Sequence, residues 1–177
     1  MQIQILEADY SNPGHAESIV ELLNAYARDP MGGGSALTAN TRQNLVASLS
    51  RIPGAFSILA IDVATDNASG DAMAVGLVNC FQGFSTFACQ PLINIHDVFV
   101  LDDYRGLGIS SKMLKLVESI ARQRNCCKLT LEVLSNNNPA RRAYQKLGFT
   151  DYQLDPGPDS SAGKALFWEK KLEFAKP

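Results

Sequence analysis

An α/β (α+β) architecture is predicted: a mixed sheet of about six to seven strands with about four helices packed against it. Three observations lead there. Apolar residues recur with a period of two in some segments and at helical spacing in others. The segments follow one another in the order β-α-α-β-β-β-α-β-α-β-β. The stretch Leu92 to Leu134 reads strand, helix, strand, so its two strands run parallel through a right-handed crossover.

Each element has a local cause. Gln2 to Ala8 alternates like a strand, and Asn12-Pro13-Gly14 reads as a turn. Ala16 to Ala27 sets Ile19, Val20, Leu22, Leu23 and Ala27 at helical spacing. Three consecutive glycines between Met31 and Ser35 make a turn before a second helix, Thr38 to Leu49, which Ile52-Pro53-Gly54 ends. Phe56 to Val63 and Ala72 to Phe81 read as strands around the polar turn Thr65 to Asp71. Pro91 opens the strand Leu92 to Leu101. The helix from Gly108 to about Arg124 carries one apolar stripe, Ile109, Met113, Leu114, Val117, Ile120 and Ala121. Lys128 to Leu134 is a strand, and Pro139 to Leu147 is a short helix stopped by Gly148. Phe149 to Leu154 and Ala165 to Leu172 are closing strands around the loop Asp155 to Gly163.

Composition narrows the function. The 177 residues (1–177) fit one domain, with 46% hydrophobic and 19% charged residues. The net charge of −2 lacks the basic surplus of a nucleic-acid binder. No apolar run approaches the roughly 20 residues of a membrane helix. Met1 to Tyr10 lacks the basic start of a signal peptide. Cys80, Cys89, Cys126 and Cys127 show no CxxC spacing, so neither a zinc site nor a disulfide framework is expected. Four reduced thiols suit a cytoplasmic protein.

The loop Arg105-Gly106-Leu107-Gly108-Ile109-Ser110 joins a strand to a helix start. Such a start offers free N–H groups and the positive end of the helix dipole, and the glycines let an anion approach the main chain. Arg105 adds a cation. Read alone, the loop is either a phosphate cradle or a plain turn. A dinucleotide fingerprint would need glycine where Ser111 stands, and the Gly-Lys-Ser/Thr ending of a P-loop is absent.

A second motif lies downstream, Asn136-Asn137-Asn138-Pro139-Ala140-Arg141-Arg142-Ala143-Tyr144-Gln145-Lys146-Leu147-Gly148-Phe149. Together the two resemble the GCN5-related N-acetyltransferase (GNAT) family. Arg105 and Gly108 meet that family's Arg/Gln-x-x-Gly-x-Gly/Ala pattern, with Ser110 in the last position. Asn137, Ala140, Tyr144, Gly148 and Phe149 meet its Asn-x-x-Ala-x-x-x-Tyr-x-x-x-Gly-Phe pattern, and Asp97-Val98-Phe99-Val100 meet the strand before the loop. The resemblance implies that the mixed sheet is mostly antiparallel with helices packed on both faces, and that a central pair of parallel strands splays apart, near Val98–Val100 and Leu131–Val133. It implies acetyl-CoA as cofactor, with its pyrophosphate on Arg105 to Ser110 and its pantetheine arm against the open backbone of Phe99 and Val100. Asn137, Ala140 and Tyr144 would flank that arm. A homodimer is also implied.

The chemistry implied is direct acetyl transfer to the primary amine of a small polyamine- or amino-acid-like molecule. The resemblance makes Tyr144 the general acid for the departing thiolate. A phenol with pKa of about 10 can still donate to a thiolate whose acid has pKa of about 8.5. His96 is the candidate base, because an imidazole exchanges protons near neutral pH; the other reading is a packed sheet histidine. Strict alternation puts His96 and Asp97 on opposite sheet faces. The N–H of Val98 would polarise the thioester carbonyl. Cys80 and Cys89 lack an activating partner and His15 carries no role. In this family the acceptor pocket forms from the segments that here are Tyr26–Leu37 and Cys80–Phe87, with Tyr26 and Asp97 among its residues. Phe84, Ser85 and Thr86 lie in a stretch similar to the diamine and thialysine acetyltransferase branch. The alternatives are a catalytically weak acyl-CoA-binding regulatory domain and a protein or peptide N-acetyltransferase.

Overall fold

The computed structural model describes residues 1–64 and 72–150. The chain divides into two compact units, Met1–Asn138 and Pro139–Pro177. In chain order the elements are β1 (Ile3–Glu7), α1 (Pro13–Arg28), α2 (Ala39–Leu49), β2 (Phe56–Asp62), β3 (Met73–Ser85), β4 (Gln90–Val100), a 3-10 turn (Asp102–Tyr104), α3 (Ile109–Gln123), β5 (Leu129–Leu131) and α4 (Asn138–Lys146). The order matches the expected one as far as α4. The turn 65–71 and the closing strands, apart from Phe149 and Thr150, lie outside the described residues.

The first unit is built on a five-stranded sheet in the order β1-β2-β3-β4-β5. The first three pairings are antiparallel and β4–β5 is parallel, as the crossover through α3 requires. α1 and α2 cover one face, where Ile19, Leu22 and Leu49 pack with Leu59, Leu77 and Phe99. α3 covers the other. Met113 lies against Gly76 and Ala60 there, and the whole expected stripe of α3 is buried. By area, each fully buried Leu or Ile contributes about 1.5–3 kcal/mol.

Several boundaries differ from the sequence expectation. Asn12-Pro13-Gly14 is a helix start rather than a turn. The Asn12 side chain accepts from the N–H groups of Gly14 and His15, and Pro13 needs no acceptor in the first helical turn. β3 runs on to Ser85, because Gln82 to Ser85 continue to pair with Gln90 to Ile93. β5 is only three residues long, not Lys128 to Leu134.

The turn after α1 folds around Asp29. The N–H groups of Gly32 and Gly34 donate to its carbonyl and that of Met31 to its carboxylate. Here the chain passes so close to α1 that a Cβ on Gly32 would lie 1.9 Å from the carbonyl oxygen of Tyr26. Gly32→Ala is expected to destabilise the fold by about 2–4 kcal/mol, since rigid backbone stands on both sides. Urea denaturation measures this; an unchanged midpoint would mean that the turn can open at little cost.

Candidate functional site

β4 carries one more residue than its partner. Asn79 pairs with Asp97, yet Cys80 pairs with Ile95, leaving His96 as the extra residue of a β-bulge. The alternation expected of His96 and Asp97 therefore fails. The His96 ring stands edge-on to Phe81, at 5.5 Å between centroids. Asp97 accepts from the Asn79 side chain, on the same side of β3 as Phe81. Phe81 packs on the α1 side, so both residues face that side. His96 is exposed and Asp97 half-buried.

Past the bulge β4 has no strand partner on its β5 side among the described residues. β5 pairs only with Ile93, Asn94 and Ile95, so Val98 to Val100 extend beyond its reach. The Leu101 N–H donates to the Val75 carbonyl on β3. By strand alternation the backbone of Phe99 also turns to β3, and the N–H groups of Val98 and Val100 point to the open edge. This corrects the expectation that Phe99 presents free backbone: its ring lies in the α1-side core and its main chain belongs to the β3 ladder.

The open strand leads into the glycine loop. Gly106 and Gly108 have φ of 79° and 76°. Other residues adopt this left-handed region only at a cost of about 1–2 kcal/mol. Gly108 is the N-cap of α3 and provides no side chain to cap it. The first bond of the helix runs from the Lys112 N–H to the Gly108 carbonyl, so the N–H groups of Ile109, Ser110 and Ser111 precede the ladder. Ile109 buries its side chain, Leu107 is exposed and Ser110 is half-buried.

Arg105, the cation expected at the loop mouth, is already engaged by the protein. Its Nε donates to the Val100 carbonyl at 3.0 Å. Its Nη2 meets Asp29 at 2.7 Å and Asp102 at 2.9 Å, and its guanidinium lies over the Phe99 ring. It joins the glycine loop to the end of α1.

Tyr26 lies near this junction, its ring 5.6 Å from that of Phe99. Burial, then the negative charges of Asp97 and Asp29, push its phenol above the ordinary range. Tyr26, Asp97 and Phe99 thus share one neighbourhood. Phe84, Ser85 and Thr86 do not join them. They stand at the tip of the β3–β4 hairpin, where Phe84 pairs with Pro91, roughly 20 Å along the strand from Asp97. The Ser85 hydroxyl accepts from the Ala88 N–H in the hairpin turn.

Asn137 closes a turn at the end of the first unit, its N–H donating to the Leu134 carbonyl. Ala140 and Tyr144 belong to the second. There Tyr144 is buried and its ring lies 5.9 Å from that of Phe149. Gly148, at φ 88°, ends α4 and lets the Phe149 N–H return to the Tyr144 carbonyl. Burial raises the Cys80 thiol far above the ordinary range, which leaves it unreactive as an acyl carrier.

Residues 53–149, more than half of the chain, match the model of the acetyltransferase (GNAT) family. The chain belongs to the GNAT family. It is 41% identical over 59 residues to a thialysine N-epsilon-acetyltransferase of Bos taurus, covering 33% of this chain and 35% of that one. It is 33% identical over 102 residues to a streptothricin acetyltransferase of Streptomyces lavendulae, covering 54% of each. The chain spans about a third to a half of the length of these curated relatives. In fold it is similar to AAC(6')-Iy, solved in complex with the bisubstrate analogue CoA-S-monomethyl-acetylneamine. The TM-score is 0.69 at 15% identity, over 97% of this chain and 100% of that one.

GNAT proteins use acetyl-CoA as acetyl donor, and the residues present suit it. Two left-handed glycines and an uncapped 15-residue helix provide N–H donors for a diphosphate, and an open strand edge provides them for an amide-bearing arm. Sequence reasoning missed Tyr10, Ser57, Asn79 and Asp29. The signal for two of them was available, since Ser57 and Asn79 are polar residues inside otherwise apolar strands.

The Asp29–Arg105 contact has a pH signature. Arg105 first, then the Met31 N–H, hold the Asp29 carboxyl below its ordinary 3.8. A lowered folded value stabilises the protein above the unfolded value and is lost as pH falls through the folded one. The stability difference between wild type and Asp29→Asn is expected to be full at pH 7 and to shrink below pH of about 4. Urea denaturation across that range checks it; an equal difference at both ends would mean that Asp29 acts without its charge.

Proposed function

We propose that residues 1–177 form an acetyl-CoA-dependent N-acetyltransferase for the primary amine of a small, polyamine- or amino-acid-like molecule. The observation that carries the reading is the open edge at Val98 and Val100, running directly into the glycine-lined start of α3. Acetyl-CoA supplies the acetyl group as a thioester. The N–H of Val98 polarises a carbonyl placed at the edge, and that of Val100 holds the adjoining arm. The loop from Arg105 to Ser110 binds a diphosphate through main-chain N–H groups, while Arg105 itself fixes the loop.

The attacking amine must be neutral. His96, exposed on the acceptor side of β4, takes its proton directly or through water. Tyr144, from its place in the family motif with Asn137 and Ala140, gives a proton to the departing thiolate. Asp97 and Tyr26 receive the acceptor, while the hairpin residues Phe84, Ser85 and Thr86 stand too far along the strand pair to touch the same small molecule. The similarity to thialysine, streptothricin and spermine/spermidine acetyltransferases supports a small amine. The proposal extends to a cytoplasmic homodimer, supported by the family resemblance and four free cysteines.

A panel of polyamines, amino acids, aminoglycosides and peptide N-termini, read by CoA release, tests the reaction. At least one small amine is expected to give saturable turnover. Stabilisation by acetyl-CoA with no amine-dependent release would favour an acyl-CoA-binding regulatory domain instead. Tyr144→Phe is expected to lower kcat by about 10²–10⁴-fold while acetyl-CoA still raises Tm. An unchanged kcat would remove Tyr144 as the acid.

A further inference from the structure

A chain of hydrogen bonds crosses three strands beneath α1. The Tyr10 hydroxyl meets Ser57 Oγ at 2.9 Å, Ser57 Oγ donates to Asn79 Oδ1 at 2.6 Å, and Asn79 Nδ2 donates to Asp97 Oδ2 at 2.9 Å. Ser57 is fully buried and Asn79 is 3% exposed. A hydroxyl has one proton to give. Since Ser57 gives its own to Asn79, the Tyr10 hydroxyl must donate to Ser57. Every dipole in the row then points the same way, and the row ends on the Asp97 carboxylate.

That polarity has a meaning. With the Asn79 amide turned over, its oxygen would face Asp97 and its NH2 would face Ser57, an arrangement that suits only a protonated Asp97. In the orientation present Asp97 is an acceptor through Oδ2. Burying Ser57 and Asn79 beside the apolar core gains little for stability, because apolar residues of similar shape would serve about as well. What the row does accomplish is to fix one carboxylate oxygen with neutral groups. Among the described residues no ion pair involves Asp97, whereas Asp29, the other carboxylate near Tyr26, is already matched by Arg105. A fixed anion met by dipoles and beside the Tyr26 and Phe99 rings is suited to a cation from outside.

We propose that Tyr10, Ser57 and Asn79 are positioning residues that hold Asp97 as the anchor for a second ammonium group of the acceptor, which makes the enzyme selective for diamine-like substrates over monoamines. This rests on the acetyltransferase reading above and adds a specificity device to it. Asn79 sets the aim of the carboxylate, Ser57 sets the aim of Asn79, and Tyr10 closes the row at the β1–α1 end.

The test uses full-length enzyme with a linear aliphatic diamine and a monoamine of equal length, both acetylated at a single amine. Asn79→Leu is expected to raise KM for the diamine by about tenfold more than for the monoamine, with kcat changed by less than about threefold. Ser57→Ala, which removes only a hydroxyl and keeps the fold if Asn79→Leu does not, is expected to do the same to a smaller degree. In an Asp97→Asn background Asn79→Leu should add less than about twofold, because residues acting through one another are not additive. A full, additive effect in that background would make Asn79 merely structural and overturn the proposal. So would a diamine KM raised by Asp97→Asn but left as it was by both Asn79→Leu and Ser57→Ala. If Asp97→Asn itself leaves the diamine KM unchanged, the assignment of Asp97 as acceptor anchor falls with the proposal. Absence of any amine-dependent CoA release is a different result and overturns the acetyltransferase reading.

Discussion

β4 holds eleven residues, and one of them is surplus to the ladder it makes with β3. That surplus residue, His96, is the constraint on which the rest of the site depends. Before it, β4 is paired on both edges, to β3 and to β5. After it, the strand keeps β3 and loses β5. A bulge adds local twist and bends the strand that carries it, and a parallel neighbour that follows a straight course then loses contact. The three-residue length of β5 follows from this. So does the stretch from Val98 to Val100 with main-chain donors on one side and nothing of β5 to receive them.

The same residue changes which side chains meet. In a regular strand His96 and Asp97 would be separated by the sheet. The bulge brings both to the α1 side, where Tyr26, Phe81 and Phe99 also lie. Two carboxylates act on this region, and the fold treats them differently. Asp29 is neutralised by Arg105 and tied into the turn of glycines after α1. Asp97 accepts from the Asn79 amide, itself held by the Ser57 hydroxyl, and has no ion pair among the described residues. A neutral amide carries no charge to cancel that of a carboxylate, so one carboxylate remains available and the other is spent on structure. Arg105 serves both ends of the junction, holding α1 to the glycine loop while its Nε occupies the Val100 carbonyl.

Much of this was legible in the sequence, and the rest was hidden for identifiable reasons. The stripe of α3 was visible because helical periodicity survives over four turns, and all six of its residues are buried. The glycine loop was legible because Arg105 and Gly108 stand at fixed spacing and a second motif, with Asn137 and Tyr144, follows downstream. The bulge was not, since a single inserted residue leaves the run Leu92 to Leu101 just as apolar and β-branched as before. Only the partner strand reveals the change of register. The bonds of Arg105 were hidden for a similar reason: its partner Asp29 lies 76 residues away. Asn12-Pro13-Gly14 was misread because turn formers and helix starters are the same residue types, and what decides between them is whether the Asn12 side chain finds N–H groups behind it. The row from Tyr10 to Asp97 left a trace that could have been read, since Ser57 and Asn79 interrupt apolar strands at positions that face the core.

The two halves of the proposed site differ in what recognises the ligand, and this explains why the donor is easier to name than the acceptor. On the donor side the groups are main-chain N–H donors of Val98, Val100 and the start of α3, with glycines that matter for what they lack. Backbone geometry of this kind demands particular residues at fixed spacing, so it leaves a pattern in the sequence that a family shares. On the acceptor side the groups are side chains from the β1–α1 connection, β2 to β4 and α1, assembled across strand pairs and re-aimed by the bulge. Asp97 is opposite Asn79, and Asn79 is opposite Ser57, through register rather than through spacing along the chain. Any one of them can change without disturbing the donor side. Substrate choice in such a fold is therefore written in the ladder pairings, and it becomes readable only when the strands are laid side by side.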